Sequence, residues 1–158
     1  MVDDSIVVSS QATLAQRTTT LLGVLIPFFG VIAAIVCSWG WGLNWSELGL
    51  LLGMYLATGL GITVGYHRLF VHRSFDTVGP VKFALAVLGS MSVEGPLLKW
   101  AAIHRCHHKN SDQVEDPHSP HGHGGGVRGV LKGLWHAHMG WMFAPDPPNL
   151  GRLVRDLY

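Results

Sequence analysis

Residues 21–39 read LLGVLIPFFGVIAAIVCSW, and residues 48–66 read LGLLLGMYLATGLGITVGY. Neither run contains a charged side chain, and each is close to the ~20 residues that a helix needs to cross the hydrocarbon core of a bilayer. Pro27 is tolerated there, because membrane helices can satisfy the backbone groups that it frees. A chain of 158 residues is too short to surround two such helices with a core of its own. We therefore predict two membrane-spanning helices.

The link between the two runs predicts the orientation. Residues 40–47 contain no Lys or Arg, and Trp39, Trp41 and Trp45 in and beside this link favour the membrane interface. Cations occur instead before the first run and after the second. Because Lys and Arg are enriched on the cytoplasmic side, both ends of the chain are predicted to be cytoplasmic. The cations nearest to the two runs and the histidine clusters are Arg17, Arg68, Arg73, Lys82, Lys99, Arg105 and Lys109.

The composition fits this class of protein. Hydrophobic residues make up 48% of the chain and charged residues 13%, against ~25% in an ordinary soluble domain. The net charge of +1 argues against nucleic-acid binding, which needs a strong basic field. Residues 80–100 are apolar but carry Lys82 and Glu94, and we expect an interfacial helix there rather than a third span. Residues 127–143 predict a short amphipathic helix.

Five histidines lie in two clusters, each beyond an apolar stretch. The first is His67-Arg-Leu-Phe-Val-His72, and the second is His104-Arg-Cys-His107-His108. Imidazole is a good ligand for iron, zinc and copper. On an α-helix the three histidines of the second cluster fall within about 60° of one direction. This cluster therefore predicts a metal-binding helix face.

The first cluster has a less regular spacing. Five positions on an α-helix correspond to ~140° of rotation and ~7.5 Å of rise. One ion could bind both His67 and His72 only if the helix were locally distorted. The other arrangements are a helix that ends between them, or two neighbouring ions. The spacing thus hints at a dinuclear site.

The remaining metal-binding side chains have simpler interpretations. Cys106 is expected to be a small packed residue rather than a thiolate ligand. His118, His121 and His123 lie in a Gly- and Pro-rich stretch and are expected to be loop residues. Packing or hydrogen-bonding roles are expected for His136 and His138. No His-Glu-x-x-His motif of a zinc protease is present.

The sequence resembles the membrane fatty-acid desaturase family, in particular its delta-9 acyl-CoA branch in bacterial form. The resemblance covers roughly residues 20–145. It rests on GYHRLFVHRSF at 65–75, HRCHHKNSD at 104–112, DPHS at 116–119 and WHAHMGWM at 135–142.

This resemblance implies an all-α, integral-membrane helical bundle with a cytoplasmic helical cap. It implies two iron ions and an O₂-dependent insertion of a cis double bond into a long saturated acyl chain. The implied partners are membrane lipid, a long-chain acyl-CoA or acyl-lipid substrate, and a ferredoxin or small haem cytochrome with its reductase. Neutral nitrogen donors suit iron. The implied iron ligands are His67, His72, His104, His107 and His108.

The family also has a third box, His-x-x-His-His, and a further pair of spans, neither of which is found in this sequence. Two ions need about ten donors, more than five imidazoles supply. We therefore expect residues 1–20 to be a polar N-terminus and residues 21–158 to be the N-terminal part of a desaturase domain, inactive alone. Animal acyl-CoA members of the family carry charged residues at the positions of Ala101-Ala102-Ile103. The resemblance therefore does not decide which carrier holds the acyl chain.

Two other functions compete with desaturation. A membrane hydroxylase has similar histidine boxes, and only the His-Arg-x-x-x-His-Arg motif favours a desaturase over it. A small membrane protein that binds or transports metal would also have His-rich loops. A transporter, however, should carry ionisable residues within its spans, and the two apolar runs contain none.

Overall fold

The fold was obtained as a computed structural model, which describes residues 12–39, 42, 44–113, 115–146 and 149–158. These residues form helices and loops, with no strand among them, in agreement with the predicted all-α class. A π-helix, Gly61–Val71, continues α2 directly. Two 3₁₀ helices, Gly140–Phe143 and Leu150–Leu157, follow the last α-helix. The five α-helices are α1 (Leu14–Ser38), α2 (Trp45–Leu60), α3 (Gly79–Ser90), α4 (Leu97–Asn110) and α5 (Gly126–His138).

Two helical segments are long and apolar enough to cross a membrane, as predicted. They are Leu14–Ser38 and the continuous helix Trp45–Val71. Large apolar side chains such as Phe28 and Ile32 lie exposed along α1, which suits contact with lipid tails rather than with water. Residues 80–100 form α3 and the start of α4, and the 12 residues of α3 are too few for a span.

The first span begins earlier than the sequence predicted. α1 starts at Leu14, within the segment expected to be a polar N-terminus, and it includes Arg17. A reciprocal capping interaction explains this start, because Gln16 N donates to Thr13 Oγ1 and Thr13 N donates to Gln16 Oε1. Residues 1–11 lie outside the described part of the chain.

The second span begins with a similar cap. Asn44 accepts a hydrogen bond from Glu47 N, and the Glu47 carboxylate accepts one from Asn44 N. The expected interfacial residues Trp39 and Trp45 are both strongly exposed, whereas Trp41 lies outside the described residues.

The chain divides into two compact units. The first unit is Leu21–Ala101, and the second combines Met1–Thr20 with Ala102–Tyr158. In the first unit, α2, the π-helix and α3 pack against one another.

In the second unit, α5 packs through glycine against the preceding loop. A Cβ atom on Gly133 would collide with the carbonyl oxygen of Pro120. The amphipathic helix expected over 127–143 is shorter than predicted, because α5 ends at His138 and the 3₁₀ helix follows. Arg105 binds Asp156 through two hydrogen bonds of 2.6 and 3.0 Å, which ties α4 to the last 3₁₀ helix.

Candidate metal centre

The π-helix brings His67 and His72 together. A π-helix bonds residue i+5 to residue i, and His72 N accordingly donates to His67 O at 3.0 Å. The two Nε2 atoms lie 3.2 Å apart and the ring centroids 4.5 Å apart. Of the arrangements that the spacing allowed, the structure combines two: the helix is locally distorted, and it ends at Val71, between the two histidines.

Tyr66, which directly precedes His67, is buried in contacts that support this distorted helix. Tyr66 is 0% exposed, and its hydroxyl lies 2.8 Å from Ser90 Oγ. Its ring meets Trp100 edge to face at a centroid distance of 5.5 Å. A Cβ atom on Gly89 would strike the Tyr66 ring, so only glycine there allows α3 to approach this closely. The backbone that carries His67 is thus held by buried contacts.

The second box lies on α4, where an ordinary i, i+4 spacing pairs two of its histidines. The Nε2 atoms of His104 and His108 are 3.0 Å apart, and the ring centroids are 4.6 Å apart. This pair follows directly from the helix period that the sequence predicted.

His107 shares this helix but has a different partner. Its Nδ1 lies 3.0 Å from Asp116 Oδ1. An ionised carboxylate can only accept, so Nδ1 is the donor in this hydrogen bond. The His118 ring stacks on His107 at 4.4 Å and 29°. One donor atom from each of His107, Asp116 and His118 lies within 4.8 Å of the others.

Asp116 is the buried centre of this group. Its side chain is 1% exposed, and its oxygens also accept hydrogen bonds from the backbone N–H groups of Asp112 and His118. Burial raises the pKa of Asp116, but the hydrogen bonds from His107 and the two backbone groups outweigh it and leave the pKa below its ordinary value. The carboxylate is therefore ionised at neutral pH.

The pKa of His118 is also lowered, first by burial and then by its neighbour His107, with Asp116 opposing the shift in part. A neutral imidazole at position 118 follows.

The donor geometry within each unit fits metal ligation. Two nitrogen donors that bind one ion at ~2.1 Å and at right angles are about 3.0 Å apart. The His67–His72 and His104–His108 pairs have Nε2 separations of 3.2 and 3.0 Å. The residues present therefore fit an imidazole-bound ion such as iron.

Of the four remaining histidines, three lie beside backbone carbonyl oxygens, and His121 Nε2 lies 3.5 Å from Asp112 Oδ1. His136 donates to Pro117 O at 3.2 Å and His138 to Leu134 O at 2.9 Å, which agrees with the hydrogen-bonding roles expected for them. His123 lies 3.4 Å from Ser119 O, and His121 is 67% exposed in its loop. Cys106 is buried, with its sulfur near Glu115 O, as expected of a packed residue.

Two residues of this group were not assigned a site role from the sequence. His118 was expected to be a loop residue, and Asp116 was quoted only as part of the DPHS resemblance. That short stretch was the available signal. Its meaning depends on a fold that brings residue 116 back to residue 107, which spacing alone does not reveal.

Comparisons with known proteins give a consistent picture. Over 136 residues, the chain is 45% identical to a hex-5-enoyl-[acyl-carrier protein] acetylenase of Moorena producens, covering 85% of this chain and 42% of that protein. It is 35% identical to an sn-2 palmitoyl-lipid 9-desaturase of Nostoc, covering 76% and 39%. A probable acyl-CoA desaturase of Schizosaccharomyces pombe is 39% identical, covering 62% and 19%.

No family model and no solved structure matches the chain. The chain spans about two-fifths of the length of the first relatives that it matches. The matches nevertheless cover most of this chain, including both histidine boxes, and several of the relatives are desaturases. Together with the membrane-type helices and the paired imidazoles, these matches show that the chain belongs to the fatty-acid desaturase family.

Proposed function

We propose that this chain is part of an O₂-dependent desaturase that inserts a cis double bond into a long saturated acyl chain. The observation that carries the proposal is the pairing of imidazoles in both boxes at about 3 Å, on helices of a chain whose relatives are lipid and acyl-CoA desaturases. When bound, a pair of iron ions supplies the O₂ activation that removing two hydrogens from an unactivated chain requires.

The residues of this chain have two kinds of role in the proposal. The iron ions would be held by ring nitrogens of His67, His72, His104, His107 and His108. Asp116 positions His107 by accepting a hydrogen bond from its Nδ1–H, which would leave Nε2 to bind an ion and raise the basicity of that atom. The neutral His118 ring stacks on the other side of His107 and fixes the plane of that imidazole.

We also propose where the reaction occurs and what takes part in it. The distribution of Lys and Arg supports histidine boxes on the cytoplasmic side of the membrane. The substrate is a long acyl chain carried as acyl-CoA or acyl-lipid, the two carriers in the names of the desaturase relatives. The electrons come from a ferredoxin or a small haem cytochrome with its reductase.

A ligand count supports one further part of the proposal. Two ions take about ten donors, so the five box histidines need partners outside residues 1–158. Residues 21–158 are then the N-terminal part of the desaturase domain.

The test is complementation of cells that lack unsaturated lipid. The 158-residue chain and a version extended with the third-box half of a related desaturase are expressed side by side, and acyl chains are analysed by mass spectrometry. We expect unsaturated chains only with the extended version, and none when His107→Ala is introduced into it. Unsaturation by the extended His107→Ala variant would overturn the iron-ligand assignment, and unsaturation by the short chain would overturn the ligand count.

A further inference from the structure

Helix α5 has one side that faces the protein. Gly129 and Gly133 are its buried positions. A Cβ atom at Gly129 would collide with the carbonyl oxygen of Gly124, and one at Gly133 with that of Pro120. The glycine side of α5 is therefore seated against the loop of residues 118–125.

The opposite side of α5 is apolar and exposed. At 100° per residue its large apolar side chains fall within an arc of about 140°. In water such a continuous strip is unfavourable, and it usually marks a surface that something else covers. The strip consists of Val127 (77% exposed), Val130 (61%), Leu131 (61%), Leu134 (48%) and Trp135 (62%).

Two cations line one edge of this strip. Arg128 and Lys132 are exposed, and no described carboxylate pairs with either of them. The sequence has no Asp or Glu from residue 117 to residue 145, so the loop and α5 together carry a net positive charge. Beside the two cations, a groove of about 520 Å³ runs along α5 and is also lined by His123, Trp135 and His136.

We propose that α5 lies in the membrane interface, with its apolar strip among the upper acyl chains and with Arg128 and Lys132 on the phosphates of anionic lipids. An exposed apolar arc bordered by cations, with a tryptophan at that border, is the pattern of an interfacial helix. The charge complements anionic headgroups, and the groove between the cations and His136 has room for a phosphate. The two membrane-type helices of the same chain keep a bilayer within reach.

The 158-residue chain in lipid nanodiscs provides the test. The background is Cys37→Ser with Cys106→Ala, with circular dichroism matching that of the parent chain, and a bimane label is placed at Leu131→Cys. The label is exposed in turn to aqueous iodide and to lipids that carry a nitroxide high on the acyl chain. We expect protection from iodide and quenching by the lipid nitroxide. The control is a label at His121→Cys, in the loop on the glycine side, which should stay accessible to iodide.

The charge is tested in the same system. Replacing half of the zwitterionic lipid by phosphatidylglycerol should increase nitroxide quenching at position 131. The double variant Arg128→Gln with Lys132→Gln should lose this increase, whereas Arg155→Gln, which removes an exposed cation of the last 3₁₀ helix, should keep it. If the increase survives the double variant, the phosphate contacts are wrong.

Two outcomes would overturn the interfacial position itself. Free access of iodide to position 131 would show that the strip faces water. Protection from iodide without nitroxide quenching would show that protein covers it, either a second copy or another chain segment. Because cysteine replacement can disturb folding, a second measurement keeps both native cysteines and uses tryptophan fluorescence. The contribution of Trp135 is the difference between the parent and Trp135→Phe, and brominated lipid should quench that contribution.

Discussion

Asp116 is the residue on which the position of His107 depends. Its buried carboxylate binds His107 and the two N–H groups of Asp112 and His118 with the same two oxygens. An amide of the same shape has only one acceptor oxygen, so at least one of these three hydrogen bonds must be lost.

We therefore predict that Asp116→Asn weakens Fe(II) binding by about 10- to 100-fold, the usual cost of removing a partner of a metal-bound histidine. Anaerobic titration of Fe(II) measures the effect. Asp112→Asn is the matched control, since its carboxylate is 66% exposed, and it should bind iron as the parent does. Equal affinities for the two variants would remove the positioning role from Asp116.

For these histidines the sequence predicted the helix face correctly but not the partner of each imidazole ring. The helix period correctly puts His104, His107 and His108 on one side of α4, but only His104 and His108 pair. His107 turns toward a carboxylate nine residues away. Local spacing cannot identify such a partner, because the contact depends on the path of the loop between them.

The π-helix is the element that brings His67 and His72 together. Gly61 starts it, and a Cβ atom there would collide with the backbone of Leu88 and Gly89 in α3. Gly59, two residues earlier, has open space around it.

Gly61→Ala should therefore destabilise the first unit by about 1–3 kcal/mol, the usual cost of overpacking a tight contact. It should also weaken iron binding through His67 and His72. Gly59→Ala should cost nothing, since alanine favours a helix. Thermal unfolding in detergent compares the two variants, and similar stability in both would contradict the close packing of the π-helix on α3.

The loop that carries Asp116 and His118 should be sensitive to acid. Both groups have pKa values below those of the unfolded chain, so the unfolded chain binds more protons as the pH falls, and stability falls with it. For His118 the loss begins near its ordinary pKa of 6.5 and is complete below its lowered value. For Asp116 it begins near 3.8.

The measurement is the unfolding temperature of the parent and of His118→Gln between pH 7 and pH 5. The parent should lose stability over this range, and the variant, which lacks the titrating ring, should lose less. Parallel curves would show that His118 does not drive the change.

The sequence predicted the two membrane-type helices of the described residues, but it placed the start of α1 and the end of α5 wrongly. The π-helix could not be predicted from residues 61–71. Its change from i+4 to i+5 hydrogen bonding depends on the packing of α3 against Gly61 and Tyr66. The early start of α1 was readable, since Thr13 and Gln16 have the spacing of a capping box. Arg17 lies inside α1 and does not mark its edge.

For the whole molecule, the prediction is a hairpin of two spans with both histidine boxes on the side of the chain ends. Reporter fusions at Asn44, in the link, and at Lys109, at the end of the second box, should report opposite sides of the membrane. The Lys109 fusion should be cytoplasmic. Both reporters on one side would rule out this topology.

The proposed desaturase depends on iron binding by the two histidine boxes, and the affinity for Fe(II) measures that binding. The chain extended with the third-box half of a related desaturase is titrated without oxygen, alongside His72→Ala, His104→Ala, His107→Ala and His121→Ala. Each of the three box variants should lose more than the ~100-fold that is the upper cost of removing a partner of a metal-bound histidine, because each removes a nitrogen donor. His121→Ala, an exposed loop replacement, should bind iron as the parent does. Unchanged affinity in the box variants, or a loss at His121 as large as at His107, would contradict the account.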